Sequence, residues 1–460
     1  MIERMLAEIL GERAPAELAH VGAGSLPSAF PVSDLASASV AGVALAVSDL
    51  LAFTGEARRA VTVDRRLASM WFGSSLRPIG WSVPPPWDAV AGDYRAADGW
   101  IRLHTNAPAH REAALGVLGV EADRARVAVA VETWTADALE AAVIAAGGCA
   151  ATMHTAEAWA SSEPSRSVAS EPLVRWEDLG ESTPSRVSRA DPARPLAGVR
   201  VLDLTRVLAG PVATRTLAQL GADVLRIDPP WWDEPGVVPD VMLGKRSARL
   251  DLRVAEHRIR LLELLASADI LVHGYRPGAL DSLGLGAAVR REAAPGLIEV
   301  TLDAYGWSGP WAARRGFDSL VQMSTGIAEA GMRWAGRETP TPLPVQALDH
   351  ATGYLMARAV IMALTERMRT GRVQRASLSL ARTALLLTGG GAHPDRSADL
   401  SIAGAHPLRA EDDDDLSTSV EHTSWGPARR LRSPMAIDGV DLSAVGPARA
   451  LGSDRAEWLA

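Results

Sequence analysis

The sequence predicts an α/β protein, built as a parallel sheet with helices on both faces beside a smaller α+β domain. Three observations carry that expectation. Strand-like apolar runs alternate with helical stretches from about residue 199 to residue 302, the pattern that parallel strands impose because each crossover must travel back along the sheet. Residues 98–150 instead open on the turn-like Asp98-Gly99, pass through the alternating Trp100-Ile101-Arg102-Leu103 and continue into helical patterns near 108–118 and 136–147. With 47% apolar content, 460 residues are enough to build more than one core.

In the alternating region, 199–204 (VRVLDL) reads as a strand, 211–220 as a helix with Pro211 in its first turn, and 222–227 (ADVLRI) as the next strand. The helix 256–266 puts Ile259, Leu262 and Leu265 on one face and leads to the strands 269–272 (DILV) and 297–302 (LIEVTL). In such a sheet, ligands are expected at the carboxyl ends of the strands. Residues 161–195 mix Ser, Glu, Pro and Arg with little apolar periodicity and read as mostly linker, with a boundary near Pro195. The acid run Glu411 to Asp415 (EDDDD) reads as a solvated loop.

A net charge of −8 with 22% charged residues provides no basic field for nucleic acid. The longest apolar run, 36–53, is Ala-rich and interrupted by Ser37, Ser39, Ser48 and Asp49, which favours a buried helix over a membrane span. The first ten residues carry Glu3, Arg4 and Glu8 rather than the layout of a secretory signal. One cysteine, Cys149, excludes an internal disulfide framework and a cysteine-cluster metal site, and fits a reducing, cytoplasmic compartment. Of 47 basic residues 46 are arginine, a bias that a GC-rich genome explains; the remaining one is Lys245.

Two distant segments echo each other. Pro31-Val32, an Ala-rich helix, Thr54-Gly55 and the strand-like Val61-Thr62-Val63 parallel Pro344-Val345, a longer helix, Thr370-Gly371 and Ser377-Leu378-Ser379. Counting from either end of the echo places Ala36 or Ala38 where the second copy has Asp349, with Asp34 nearby but out of register.

Several residues suggest chemistry. The turn 203–211 (DLTRVLAGP) lacks the glycine pattern of a dinucleotide site, yet its helix start offers free N–H groups to an anion, with Arg206 beside it. Gly244-Lys245-Arg246-Ser247 is either a solvated basic turn or an anion contact, and 273–278 (HGYRPG) follows a strand directly, where polar and aromatic side chains suit ligand contact. Asp349, at the start of a long helix, is either an N-cap or a carboxylate nucleophile that attacks an activated acyl group. Gly389-Gly390-Gly391 is a flap, an oxyanion-binding turn or a plain loop. No serine-hydrolase elbow, zinc-protease helix or Walker loop is present in the sequence.

In this order, 195–211 (PLAGVRVLDLTRVLAGP), 220–227, 244–247, 268–272 with Arg276-Pro277-Gly278, Gly316-Phe317-Asp318 and the Asp349 segment resemble the family III CoA-transferases, a group that includes α-methylacyl-CoA racemases. The resemblance implies a Rossmann-like large domain with a smaller α+β domain, a homodimer, acyl-CoA and carboxylate substrates, and no tightly bound cofactor. It implies that Asp349 forms an aspartyl-CoA thioester, and that Arg206, Val207, Leu208, Ala209, Lys245, Arg246, His273, Tyr275, Arg276 and Arg315 line the CoA site, with Gly389, Gly390 and Gly391 covering the intermediate. The racemase branch carries a histidine where this chain has Phe317, leaving His350 as the neighbouring candidate for a second proton-transfer group. Family members carry a nucleotide-contacting arginine after the second strand; here the text is IDPPWWDEP (227–235), without it. The order of parts is also rearranged, because 31–178 resembles the family's portion downstream of the aspartate and 424–434 its closing segment.

The resulting partition is a degenerate partial copy at 1–95, a small α+β domain at 96–178, a linker at 179–195, the CoA-binding domain with its aspartate at 196–391, and a polar linker and tail at 392–460. The expected activity is CoA transfer through Asp349. Acyl-CoA racemisation by α-proton transfer and non-catalytic CoA binding are the alternatives.

Overall fold

A computed structural model describes residues 1–11, 17–181, 191–392 and 406–459. From the N-terminus, α1 (Ile2–Leu10) and β1 (Leu18–Val21) precede α2 (Val32–Phe53), β2 (Val61–Asp64), α3 (Arg65–Trp71) and β3 (Leu76–Pro78). The α+β unit comprises β4 (Gly92–Arg95), β5 (Trp100–Leu103), α4 (Pro108–Leu118), α5 (Arg124–Val131), α6 (Ala136–Ala145) and β6 (Ala150–Thr152). Its three strands are antiparallel, and the alternation read from the sequence of β5 buries Ile101 and Leu103.

Next come α7 (Ala156–Ser161), α8 (Glu163–Ser170) and β7 (Arg175–Glu181), then the alternating region: β8 (Arg200–Leu204), α9 (Ala209–Gln219), β9 (Asp223–Asp228), α10 (Val238–Val241), β10 (Arg246–Arg249), α11 (Ala255–Leu265), β11 (Ile270–His273), α12 (Ala287–Ala293) and β12 (Ile298–Asp303). It continues through α13 (Asp318–Ser324), α14 (Ile327–Trp334), α15 (Ala347–Thr370), β13 (Arg372–Ser379) and α16 (Leu380–Thr388), and the chain closes with β14 (Glu421–Thr423), β15 (Gly426–Arg430) and β16 (Met435–Ile437).

The main sheet has seven strands in the order β10-β9-β8-β11-β12-β13-β7, all parallel except β7. Its central strands are buried on both faces, as a sheet covered by helices on both sides demands, with mostly apolar side chains and a few buried polar ones such as Asp203, Glu299 and Thr301. The 161–195 stretch is therefore not mostly linker: it supplies the short helix α8 and the antiparallel edge strand β7. That strand is polar and largely exposed, so it carries no apolar period to read, and its pairing with β13 comes from tertiary contact. Of the expected linker, residues 182–190 lie outside the described residues.

The core centres on α15, which packs against α2 on one side and α9 on the other. Gly353 makes the second contact possible: a Cβ there would meet the Ala209 carbonyl oxygen at 2.5 Å. The helix ends at Gly371 in a left-handed conformation, with Arg367 and Arg369 in its last turn. Although α2 is long and apolar enough to cross a membrane, its residues are almost all buried inside the fold. The echo has a local counterpart, since α2–β2–α3 and α15–β13–α16 each run helix, strand and abutting helix, with Asp64 and Ser379 as the respective N-caps. In the first copy, Ala36 and Ala38 are fully buried and Asp34 is ion-paired with Arg65.

The C-terminal region is not a tail. β16 pairs with β2, and β15 with β3, so residues near 430 complete sheets begun near residues 61 and 76. The acid run is solvated only in part: Glu411, Asp413 and Asp414 are exposed, but Asp415 is buried in an ion pair with Arg66, and Asp412 caps the turn that holds it. Asp240 joins the parts, accepting from Arg215 of α9 at 2.6 Å, from Arg430 of β15 at 3.0 Å and from the Ser75 N–H at 2.9 Å.

Candidate active site

At the carboxyl ends of β8, β11 and β12 lies a cleft of about 400 Å³. Such edges collect backbone N–H groups from helix starts and side chains from the following turns. The turn after β8 contributes Arg206, Val207 and Ala209; that after β11, Tyr275 and Arg276; the end of β12, Asp303. Arg314, Arg315 and Phe317 come from the segment before α13, Trp232 from the loop after β9, and Ala107, Ala109 and His110 from the small α+β unit.

Asp349 also lines this cleft, from the first turn of α15, and is only 6% exposed. Its own N–H donates to Asp318 Oδ2 at 2.9 Å, and its carboxyl group accepts from the Ala209 N–H at the start of α9. Asp318 takes further hydrogen bonds from the Leu348 N–H and Gln322 Nε2, and Gln322 Oε1 accepts the Leu343 N–H at 2.7 Å. Two buried carboxyl groups thus lie close together, and among the described residues no ion pair is made by either. Burial, and then the charge of Asp318, push Asp349 well above the ordinary carboxylate range; burial pushes Asp318 to about 6. The proton balance belongs to the pair, and deprotonation leaves a weakly solvated carboxylate beside the cleft.

The cationic wall has a definite order. Arg206 lies over the Trp232 ring at 4.6 Å and the Tyr275 ring at 5.6 Å. Arg314 is ion-paired with Glu140 of the small unit at 2.6 Å, and Arg315 donates to the Gly147 carbonyl at 3.2 Å, so both tie the small unit to the rim. His110 is lowered to about 4 by burial and then by Arg315 and Arg276, which keeps it neutral at ordinary pH. Val207 has φ of 66°, a strained conformation for a β-branched residue. Its N–H donates to Glu234 Oε1 at 2.8 Å, while Glu234 Oε2 accepts from Arg226 at 2.9 Å.

Of the residues expected from sequence, the cleft brings together Asp349, Arg206, Val207, Ala209, Tyr275, Arg276 and Arg315. Lys245 is a correction. It is 1% exposed, and its ammonium donates to Asp203 Oδ2 at 3.1 Å, the Pro211 carbonyl at 2.9 Å and Thr214 Oγ1 at 2.6 Å, so all three N–H donors are engaged. It clamps the turn from beneath rather than meeting a ligand. Arg246 lies outside the cleft, paired with Asp223 at 2.8 Å. His273 is buried at the end of β11, where burial lowers it to about 4, and it does not line the cleft. Leu208 is the N-cap of α9 and also lies off the lining. Gly389, Gly390 and Gly391 follow α16 outside the cleft, and the first two sit beside Met1 and Arg4 of α1.

His350 does not supply a second proton-transfer group to the cleft. Its ring is buried and stacked on Phe72 at 5.3 Å, and burial lowers it to about 3. Phe317 stacks on His104 at 3.7 Å, which fixes the small unit against α13. Sequence reading did not single out Asp303, His110, Trp232, Glu234 or Arg314 as site residues. Asp318 appeared only within the Gly316-Phe317-Asp318 motif, and no local pattern marks His110, which arrives from a separate unit of the fold.

Comparison with known proteins adds the following. The family model for CoA-transferase family III matches residues 196–408. The "Probable fatty acyl-CoA transferase Rv3272" of Mycobacterium tuberculosis is 36% identical over 200 residues, covering 40% of this chain and 49% of that protein. The "Succinyl-CoA:glutarate CoA-transferase" of Mus musculus is 34% identical over 200 residues, 40% of this chain and 45% of that one. The "Acetyl-coenzyme A transferase nodX" of Hypoxylon pulicicidum is 35% identical over 216 residues, 46% of this chain and 35% of that one. A solved structure of Rv3272 is similar at 34% identity with a TM-score of 0.39, covering 43% of this chain and 57% of that chain. This chain thus spans between 35% and 49% of the length of these three curated relatives.

Proposed function

We propose, from the match of residues 196–408 to the CoA-transferase family III model, that the protein moves CoA between an acyl-CoA thioester and a carboxylic acid, with Asp349 as the nucleophile. The observation that carries this reading is the setting of Asp349: a buried carboxyl group on the cleft, held at one helix start and facing the free N–H of another.

In the proposed sequence the Asp349 carboxylate attacks the thioester carbonyl carbon. The C–S bond breaks, CoA leaves as its thiolate, and a mixed anhydride joins Asp349 to the acyl group. The thiolate then attacks the Asp349 carbonyl, releasing the first carboxylate and leaving an aspartyl-CoA thioester. An acceptor carboxylate attacks that thioester and expels the thiolate again. Attack of the thiolate on the new acyl carbonyl forms the second acyl-CoA and returns Asp349 as carboxylate. The Ala209 N–H favours the charged form of Asp349, and a low-dielectric site strengthens that contact. Arg206, Arg276 and Arg315 provide positive charge for the phosphates of CoA. The same reading carries the expectation of a homodimer, which light scattering on the 48.6 kDa chain tests.

The deciding experiment incubates the protein with succinyl-CoA or acetyl-CoA and a panel of carboxylates that includes glutarate and fatty acids, then repeats it with Asp349→Ala. Exchange that disappears in the variant, together with a CoA adduct mapped to Asp349 by mass spectrometry, supports the mechanism. Equal turnover in the variant overturns it. Tight CoA binding without exchange across the panel favours a non-catalytic CoA-binding protein.

A further inference from the structure

Asp303 is the last residue of β12, paired in register with Ser379 of β13, and it lines the same cleft as Asp349 between Leu302, Ala304 and Leu380. Its two carboxyl oxygens differ. Oδ1 accepts the Gly306 N–H at 2.9 Å and so belongs to the turn that follows the strand. Oδ2 is buried and has no hydrogen-bond partner among the described residues. A buried polar atom without a partner is uncommon in a folded chain, and when it lies on a cleft the missing partner is most simply a ligand.

The chemistry of that partner follows from the neighbourhood. The charged groups around Asp303 are Glu171, from the segment after α8, and, along the cleft, Asp349 of α15, Arg276, Arg314, Arg315 and the neutral His110. Glu171 is held in place, its Oε1 accepting the Trp307 N–H at 2.8 Å and the Ser308 hydroxyl at 2.6 Å. Among the described residues no cation is paired with Asp303. Burial first, and then the charge of Glu171, raise it well above the ordinary carboxylate range, against the pull of the Gly306 N–H. Burial without a paired cation favours the protonated form of this carboxyl group, and with Oδ1 already accepting, the free function of that form is one O–H donor at Oδ2.

We propose that Asp303 contacts the substrate directly, its Oδ2–H donating a hydrogen bond to a carbonyl oxygen of the bound acyl-CoA. This rests on the CoA-thioester reading of the cleft. Two kinds of carbonyl are available, the thioester and the amides of the pantetheine arm, and both accept the same bond.

Titration calorimetry of the full chain separates these sources. Asp303→Ala is expected to weaken acetyl-CoA binding about 3- to 10-fold, the loss of one neutral hydrogen bond, whereas Asp303→Asn, which keeps an N–H donor, holds most of it. Weakening for acetyl-CoA but not for free CoA assigns the thioester carbonyl; equal weakening for both assigns the arm. The wild-type advantage over Asp303→Ala is present at low pH and lost as pH rises through the Asp303 pKa, because the donor is the protonated form; Asp303→Asn does not show this loss. Glu171→Gln, which removes the repelling charge but keeps an acceptor, moves the loss to lower pH. Thermal melts of each variant confirm that folded protein is being compared. If wild type and both Asp303 variants bind acetyl-CoA equally at every pH, the role of Asp303 is overturned and the transferase reading stands. If wild type binds neither acetyl-CoA nor CoA, both fall.

Discussion

Two buried aspartates, one beneath the cleft and one on it, show how differently burial acts on a carboxyl group with cationic partners and on one without them. Asp203 is fully buried, and burial pushes it up, but Lys245, Arg226 and the hydroxyls of Thr205 and Thr214 more than offset this, leaving its carboxyl below the ordinary value. Asp349 is nearly as buried, yet the charge that acts on it most strongly is that of another acid, Asp318, and its contacts include a helix-start N–H. One site is saturated and the other is held short of its partners. The saturated site also serves the other: Lys245 ties Asp203 to the Pro211 carbonyl, and so fixes the turn that presents Ala209 to Asp349.

The contrast can be broken most forcefully at Lys245. Lys245→Met strands a buried charge and should cost about 3–5 kcal/mol, read as a lower urea midpoint; an unchanged midpoint would refute the clamp. Asp349→Asn should do the opposite. Because its folded pKa is raised, ionised Asp349 costs stability above the unfolded pKa, so the variant should melt higher than wild type near pH 8 and equally near pH 4. Asp318→Asn removes the like charge, so Asp349 ionises more readily, and the acid limb of CoA exchange, where rate rises with pH, should move to lower pH. A limb that stays in place would mean the two acids are not coupled. The smallest effect is expected for Val207→Gly, where relief of the strained backbone and the added freedom of the unfolded chain nearly cancel, leaving stability within about 1 kcal/mol of wild type by denaturant titration.

Legibility followed the same divide. Strands β8, β9, β11 and β12 lie within a residue of their expected bounds because apolar runs buried on both faces announce themselves. β7 was unreadable because an exposed, polar edge strand has no period of its own. Arg206 and Tyr275 stand in turns that directly follow clear strands, and Asp349 stands at the start of a clear long helix. Lys245 misled because charge reads as solvent or ligand, and nothing local reveals that Asp203 and Thr214 wait beneath it. Asp303 and His110 acquire meaning only when separate units converge on one cleft.

The strands near residue 430 have a temporal consequence. Among the described residues β2 gains one of its two neighbours, and β3 its only one, from β16 and β15, about 350 or more positions later in the chain. During synthesis the N-terminal region must therefore leave the ribosome with open strand edges and wait while the whole α/β sheet is made. Long-range closures of this kind are slow, and unpaired edges invite association with other nascent chains. Pairing of β15 and β16 with these edges thus ends the most vulnerable interval of the N-terminal region.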